Sequence, residues 1–128
     1  MDNRRTIPGY KVYVDPETGE RPPVYVTFLC IWPEAGASVE GVVFVVDDAG
    51  LALLDRRERN YDRHDVSAHV DADGPVWAYL ASDAGRERFA AGHAAGTAVV
   101  SEEYLDVVPD VEPPELPVLP LLRRDVSA

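Results

Sequence analysis

Asp47-Asp48-Ala49-Gly50-Leu51-Ala52-Leu53-Leu54-Asp55-Arg56-Arg57-Glu58-Arg59-Asn60-Tyr61 follows a nearly unbroken apolar run, Val42 to Val46. The stretch reads as a short helix. Asp47 or Asp48 can cap the open N–H groups of its first turn and complement the helix dipole. Leu51, Leu54 and Glu58 stand at i, i+3 and i+7, which places all three on one face. Arg56, Arg57 and Arg59 fall elsewhere on the wheel, where solvent can take them. A carboxylate therefore occupies a position where the pattern expects a leucine. One reading is a helix-end glutamate that turns to water or pairs with an adjacent arginine. The other is a partly buried carboxylate with a raised pKa, as a general acid or base near neutral pH requires.

Working outward, Ser38 to Val46 before the helix reads as a buried strand. Gly41 inside it suggests a bulge, a bend or a close approach to the backbone. Tyr10 to Val14 alternates like a short strand, and Val24 to Trp32 is apolar at nearly every position, as a strand covered on both faces would be. The first six residues are polar and expected to be loosely held. After the helix, Arg63 to Val70 reads as a half-exposed strand, Asp71 to Pro75 as a hairpin turn, and Val76 to Ala81 as the return strand. Ser82 or Asp83 can cap a helix to about Ala95, with Gly92 weakening it and Gly96 stopping it. Ala98 to Val100 reads as a short link. Ser101 is expected to cap a last helix, with Tyr104, Val107 and Val108 facing the core.

Five prolines between Pro109 and Pro120 exclude a helix or central strand there. The expected organisation is thus one domain over 1–108 and a proline-rich tail over 109–128 that runs extended and ends frayed. The order of elements suits an α+β domain: a small, curved, mostly antiparallel β-barrel with flanking helices.

At 128 residues and 46 % hydrophobic side chains, the chain can bury a real core. Acidic residues number 23 against 12 basic, a formal net charge of −11, which argues against nucleic acid or an anionic membrane as partner. Cys30 is the only cysteine, so no intrachain disulfide forms; its apolar context reads as core. No signal peptide or membrane span is visible, and a cytoplasmic location is expected. His64, His69 and His93 lack ligand spacing, so no metal site is expected. No serine sits in a nucleophile elbow and no glycine-rich phosphate loop is present.

Leu54-Asp55-Arg56-Arg57-Glu58, then Tyr61 and Arg63, resembles the Leu-Asp-x-x-Glu segment of the γ-glutamylcyclotransferase-like family. The likeness runs from about Val42 through Val100-Ser101-Glu102-Glu103-Tyr104. With Asp2-Asn3-Arg4-Arg5 and Gly9-Tyr10 it is similar to the family's bacterial branch. The resemblance implies that Glu58 is the catalytic acid/base for intramolecular aminolysis of a small γ-glutamyl amide or peptide, releasing 5-oxoproline. It implies no metal or other cofactor. Tyr61 and Tyr104 are second candidates, as substrate-binding residues or equally as core pieces with satisfied hydroxyls. Arg63 is a candidate partner for Glu58.

The family's Tyr-Gly-Ser-Leu-type strand has no counterpart, and Met1 falls where a family chain is already past it. A start upstream of Met1, or a variant lacking that strand, is therefore expected, with weak or no activity in the 128-residue chain. Two alternatives to an active enzyme follow: a ligand-binding member of the same fold, and a homo-oligomer formed through an unpaired sheet edge.

Overall fold

A strand persists only where a second backbone completes its hydrogen bonds, and that condition decides which apolar runs of this chain become strands. The computed structural model describes residues 1–108 and 115–128. They fall into two units, Met1–Leu29 with Glu87–Ala128, and Cys30–Arg86.

In the first unit, β1 (Lys11–Val14) does not pair with the Val24 run. It pairs antiparallel with β7 (Leu122–Asp125), Val12 opposite Arg124 and Tyr13 opposite Arg123. Gly9 N–H donates to the Val126 carbonyl and Val126 N–H to the Tyr10 carbonyl, which extends the ladder. The chain end is therefore not frayed. Leu121, just before β7, is buried with Met1, Tyr13, Val26 and Val99 in the core of the unit.

The stretch expected as a link is the central strand of a three-stranded sheet. β5 (Ala98–Ser101) runs parallel to β2 (Tyr25–Val26) on one edge and to β6 (Val118–Leu119) on the other. All four β5 residues are buried, Ala98, Val99 and Val100 as apolar side chains on a doubly flanked strand should be. Prolines 117 and 120 bracket β6 without breaking it, since the Pro117 carbonyl still accepts from Val100 N–H at 2.9 Å. The segment 109–114 of the expected extended tail lies outside the described residues.

The polar N-terminus is not loosely held. Asn3 is fully buried: its amide donates to the Tyr13 and Pro22 carbonyls, both at 2.9 Å, and its oxygen accepts from Tyr13 N–H at 2.8 Å. Arg21 reaches the Asn3 and Arg5 carbonyls and the Thr6 hydroxyl. The desolvation of one asparagine is thereby fully compensated.

α2 (Asp83–Ala94) runs unbroken through Gly92. A Cβ there would stand 3.0 Å from Tyr25 Cβ, so close packing on β2 explains the glycine. Ser82 Oγ accepts from Gly85 N–H at 3.0 Å, the expected cap, and Gly96 takes φ +69°, the left-handed stop. α3 (Glu102–Val107) follows β5. Ser101 stands at its N-cap position, but its hydroxyl donates to the Leu121 carbonyl at 3.0 Å instead of capping. Val107 is exposed, not core-facing.

The second unit holds α1 (Asp48–Arg57), β3 (Tyr61–Asp65), a 3-10 turn at Ser67–His69 and β4 (Trp77–Ala81). β3 and β4 form the expected antiparallel hairpin, Tyr61 opposite Ala81 and Arg63 opposite Tyr79. The half-exposed strand ends at Asp65, because the Asp65 carboxylate takes Ser67 N–H and hydroxyl and turns the chain. His69 therefore lies in the turn.

Two expected strands are corrected. The Val24 run is a strand only at Tyr25–Val26, and Leu29, Ile31 and Trp32 are exposed. Cys30 is consequently exposed rather than core. The run from Ser38 to Val46 is irregular and exposed, with no strand partner among the described residues. A Cβ on Gly41 would meet nothing within 4 Å, so no close approach explains that glycine.

The architecture is α+β, with most paired positions antiparallel. Among the described residues no helix is long and apolar enough to cross a membrane.

Candidate functional site

Glu58 is placed by the helix the sequence announces. Asp47 caps α1, its carboxylate accepting from Gly50 N–H at 2.7 Å, and Arg56 and Arg57 complement the dipole at the other end. Of residues 51–58, only Leu51, Leu54 and Glu58 are partly sheltered, which is the face their spacing defines. Glu58 itself is the C-cap, its N–H donating to the Leu54 carbonyl at 2.9 Å.

The Glu58 side chain keeps 22 % of its surface exposed and pairs with the neighbouring Arg57, Oε1 lying 2.9 Å from both Nε and Nη2. Arg63 is not its partner. Arg63 Nε lies 3.0 Å from Asp55 Oδ1, one helical turn before Glu58. Strand geometry explains the exchange: Arg63 stands opposite Tyr79, and the Tyr79 hydroxyl donates to the same Asp55 oxygen at 2.6 Å. The two hairpin residues converge on one carboxylate.

Tyr61 begins β3, and its N–H donates to the Glu58 carbonyl at 3.2 Å, so the chain turns from helix to strand within three residues. It lines a concavity of about 410 Å³ together with Asp55, Asp62, Arg63, Trp77 and Tyr79. That volume falls in the range of small-ligand sites. The Arg63 guanidinium lies 4.6 Å above the Trp77 ring, which holds it over the wall while Asp55 holds its edge. Burial, the hydrogen bond to Asp55 and the charges of Asp55 and Glu58 together push the Tyr79 phenol up to about 12, against the pull of Arg63.

Tyr104 belongs to the other unit. Its hydroxyl accepts from Leu29 N–H at 3.1 Å and its ring meets Phe28 edge to face at 5.2 Å. The structure thus joins Tyr61 to Glu58 through the backbone, whereas Tyr104 is fixed by its own neighbours. Sequence reasoning missed Asp55, Trp77 and Tyr79 as site residues. A signal existed: Trp77 and Tyr79 share one face of β4 by alternation, and Asp55 belongs to the same short motif as Glu58. Among the described residues no group of three or more His, Cys, Asp or Glu side chains is arranged to hold a metal ion.

No curated protein and no solved structure gives a match. The family model described as gamma-glutamyl cyclotransferase, AIG2-like, matches residues 2–104, which takes in α1, Glu58, the hairpin and Tyr104. The chain therefore belongs to the AIG2-like gamma-glutamyl cyclotransferase family.

Proposed function

We propose that the protein cyclises a small γ-glutamyl amide or peptide to 5-oxoproline, with Glu58 as the acid/base. The observation that carries this reading is the position of Glu58: a partly sheltered carboxylate at the end of α1, within the Leu-Asp-x-x-Glu segment of a family match spanning residues 2–104. The lining of the adjoining concavity by Tyr61 supports it as a substrate-binding residue. Tyr104 is proposed in the same role on its place at the end of the matched segment.

In this mechanism Glu58 takes a proton from the substrate's α-ammonium group. The amine attacks the γ-carbonyl carbon, forming the lactam C–N bond. The adduct's nitrogen releases its second proton to solvent, the original amide C–N bond breaks, and Glu58 returns its proton to the leaving amine. Nucleophile and electrophile are parts of one molecule, so the protein folds the substrate and moves one proton. The ion pair with Arg57 must open for Glu58 to accept that proton. The exposed, flexible Arg57 side chain makes this a small cost.

The closed barrel, the single domain over 1–108 and a cytoplasmic location belong to the same proposal. The −11 charge supports a small-molecule partner over nucleic acid. A second reading, association through an unpaired strand, is favoured by the exposed apolar run from Val39 to Val46.

The test is release of 5-oxoproline from a panel of γ-glutamyl compounds, beginning with γ-glutamyl-alanine, by the wild type and Glu58→Gln. A loss of about 10²–10⁴-fold in the variant is expected. Equal rates remove Glu58 from the mechanism, and no product from the wild type across the panel overturns the reading.

A further inference from the structure

A carboxylate that must accept a proton is disabled by a sheltered cation locked beside it, because the ion pair favours the charged form. Four arginines, Arg56, Arg57, Arg59 and Arg63, stand within five residues of Glu58. The Arg57 side chain, which pairs with Glu58 Oε1, keeps 70 % of its surface in solvent, and such a pair is weak. The Arg63 side chain keeps 30 %, and its guanidinium lies over the Trp77 ring, so water screens it less. Arg63 Nε is 3.0 Å from Asp55 Oδ1. Asp55 and Glu58 are three residues apart, a spacing that sets Cβ atoms about 5–6 Å from each other on a helix surface. One side-chain rotation therefore separates the Arg63–Asp55 pair from an Arg63–Glu58 pair.

We propose that Asp55 is a positioning residue for Glu58: it takes the Arg63 guanidinium that would otherwise pair with the acid/base carboxylate. The proposal rests on the reading of Glu58 as acid/base and adds the residue that keeps it usable. Two contacts hold the arrangement. The Tyr79 hydroxyl donates to the same Asp55 oxygen at 2.6 Å and fixes the carboxylate, while the Trp77 ring supports the guanidinium from 4.6 Å. Burial foremost, then the bond and charge of Asp55, raise the Tyr79 phenol to about 12, and the charges of Arg63 and Glu58 act on it as well. The four side chains thus share one local field. The other charges about Glu58 are Arg56 and Arg57 in the last turn of α1 and Arg59 just after it. The Arg57 pair opens into water when Glu58 takes a proton. An Arg63 pair, set between α1 and the hairpin, would resist opening, and Asp55 prevents it from forming.

Asp55→Asn tests this directly, since the asparagine oxygen still accepts from Tyr79 while the charge that holds Arg63 is gone. The Glu58 carboxyl is followed by NMR in protein labelled at glutamate, its signal identified by its loss in Glu58→Gln. In Asp55→Asn the titration midpoint of that signal should fall about one pH unit or more below its wild-type position. Asp55→Asn/Arg63→Gln should restore the midpoint, and Asp55→Glu, which keeps the charge, should leave it in place. The acid limb of the kcat/KM profile for 5-oxoproline release should move with the midpoint. Loss of a merely structural contact would lower kcat/KM without displacing that limb. An unmoved midpoint in Asp55→Asn overturns the proposal, and so does a displacement that persists once Arg63 is also removed. A further measurement needs no change at Asp55: the Arg63 Nε–H resonance should be the same in wild type and Glu58→Gln, and a large change would show that Arg63 already pairs with Glu58. The midpoints are read without turnover. A wild type that releases no 5-oxoproline therefore overturns the acid/base reading, while the titrations still decide where the charge of Arg63 is placed.

Discussion

The Tyr79 hydroxyl and the Arg63 guanidinium meet on one oxygen of Asp55, at 2.6 Å and 3.0 Å. Through that atom the C-terminal turn of α1 is tied to both strands of the β3–β4 hairpin. Glu58 follows three residues later, so its place depends on this clamp.

Breaking the clamp should loosen α1. Tyr79→Phe is expected to cost about 1 kcal/mol, since a hydrogen bond to a charged acceptor is lost at a partly exposed site. Asp55→Asn should cost about 1–2 kcal/mol, and the double variant less than the sum of the two. Urea unfolding of all four proteins measures the coupling; strict additivity would show that the two side chains do not interact. The pH dependence has a definite sign. The folded phenol, at about 12, lies above its ordinary value of 10.0, so this contribution is complete below pH 10 and is lost as pH rises toward 12.

Glu58→Gln should leave stability at pH 7 within about 0.5 kcal/mol of wild type, because the ion pair it removes involves an exposed arginine. Thermal unfolding checks this. An unchanged midpoint beside a large loss of 5-oxoproline release assigns the defect to chemistry rather than to folding.

Asn3 should be among the least replaceable residues. Asn3→Ala leaves the Tyr13 and Pro22 carbonyls and the Tyr13 N–H without their partner, at an expected cost of about 3 kcal/mol or more. Asn3→Asp should be worse at neutral pH, since a carboxylate oxygen would face two carbonyl oxygens. Chemical denaturation of both variants ranks them, and a reversed order would mean that the amide faces the other way.

The Met1 ammonium donates to the Val26 carbonyl at 2.7 Å within the core. Burial foremost, then the charges of Arg88 and Lys11, lower it from 8.0 to about 5. A folded value below the unfolded one means that the unfolded chain binds the proton more tightly across this window. Stability should therefore rise as pH increases from 5 to 8, by at most about 4 kcal/mol from this group. Unfolding free energies across the window measure the slope, and a flat profile would place the amine in water.

The sequence by itself determined whatever rests on local chemistry. Asp47 as cap, the shared face of Leu51, Leu54 and Glu58, the β3–β4 hairpin and the Gly96 stop follow from contacts within a few residues or across one turn. Membership of the family was legible for the same reason, because Leu54, Asp55 and Glu58 form one short motif. Tertiary structure alone decided the rest. Ala98–Ser101 is a central strand only because Tyr25–Val26 and Val118–Leu119 arrive on its two edges, and Leu122–Asp125 is ordered only because Lys11–Val14 receives it. Arg63 chose Asp55 over Glu58 because the hairpin register set it beside Tyr79. Ser38–Val46, the most strand-like run of all, found no such backbone among the described residues. Apolar side chains can announce a strand, but its hydrogen bonds belong to two segments, and the partner is written nowhere in the first.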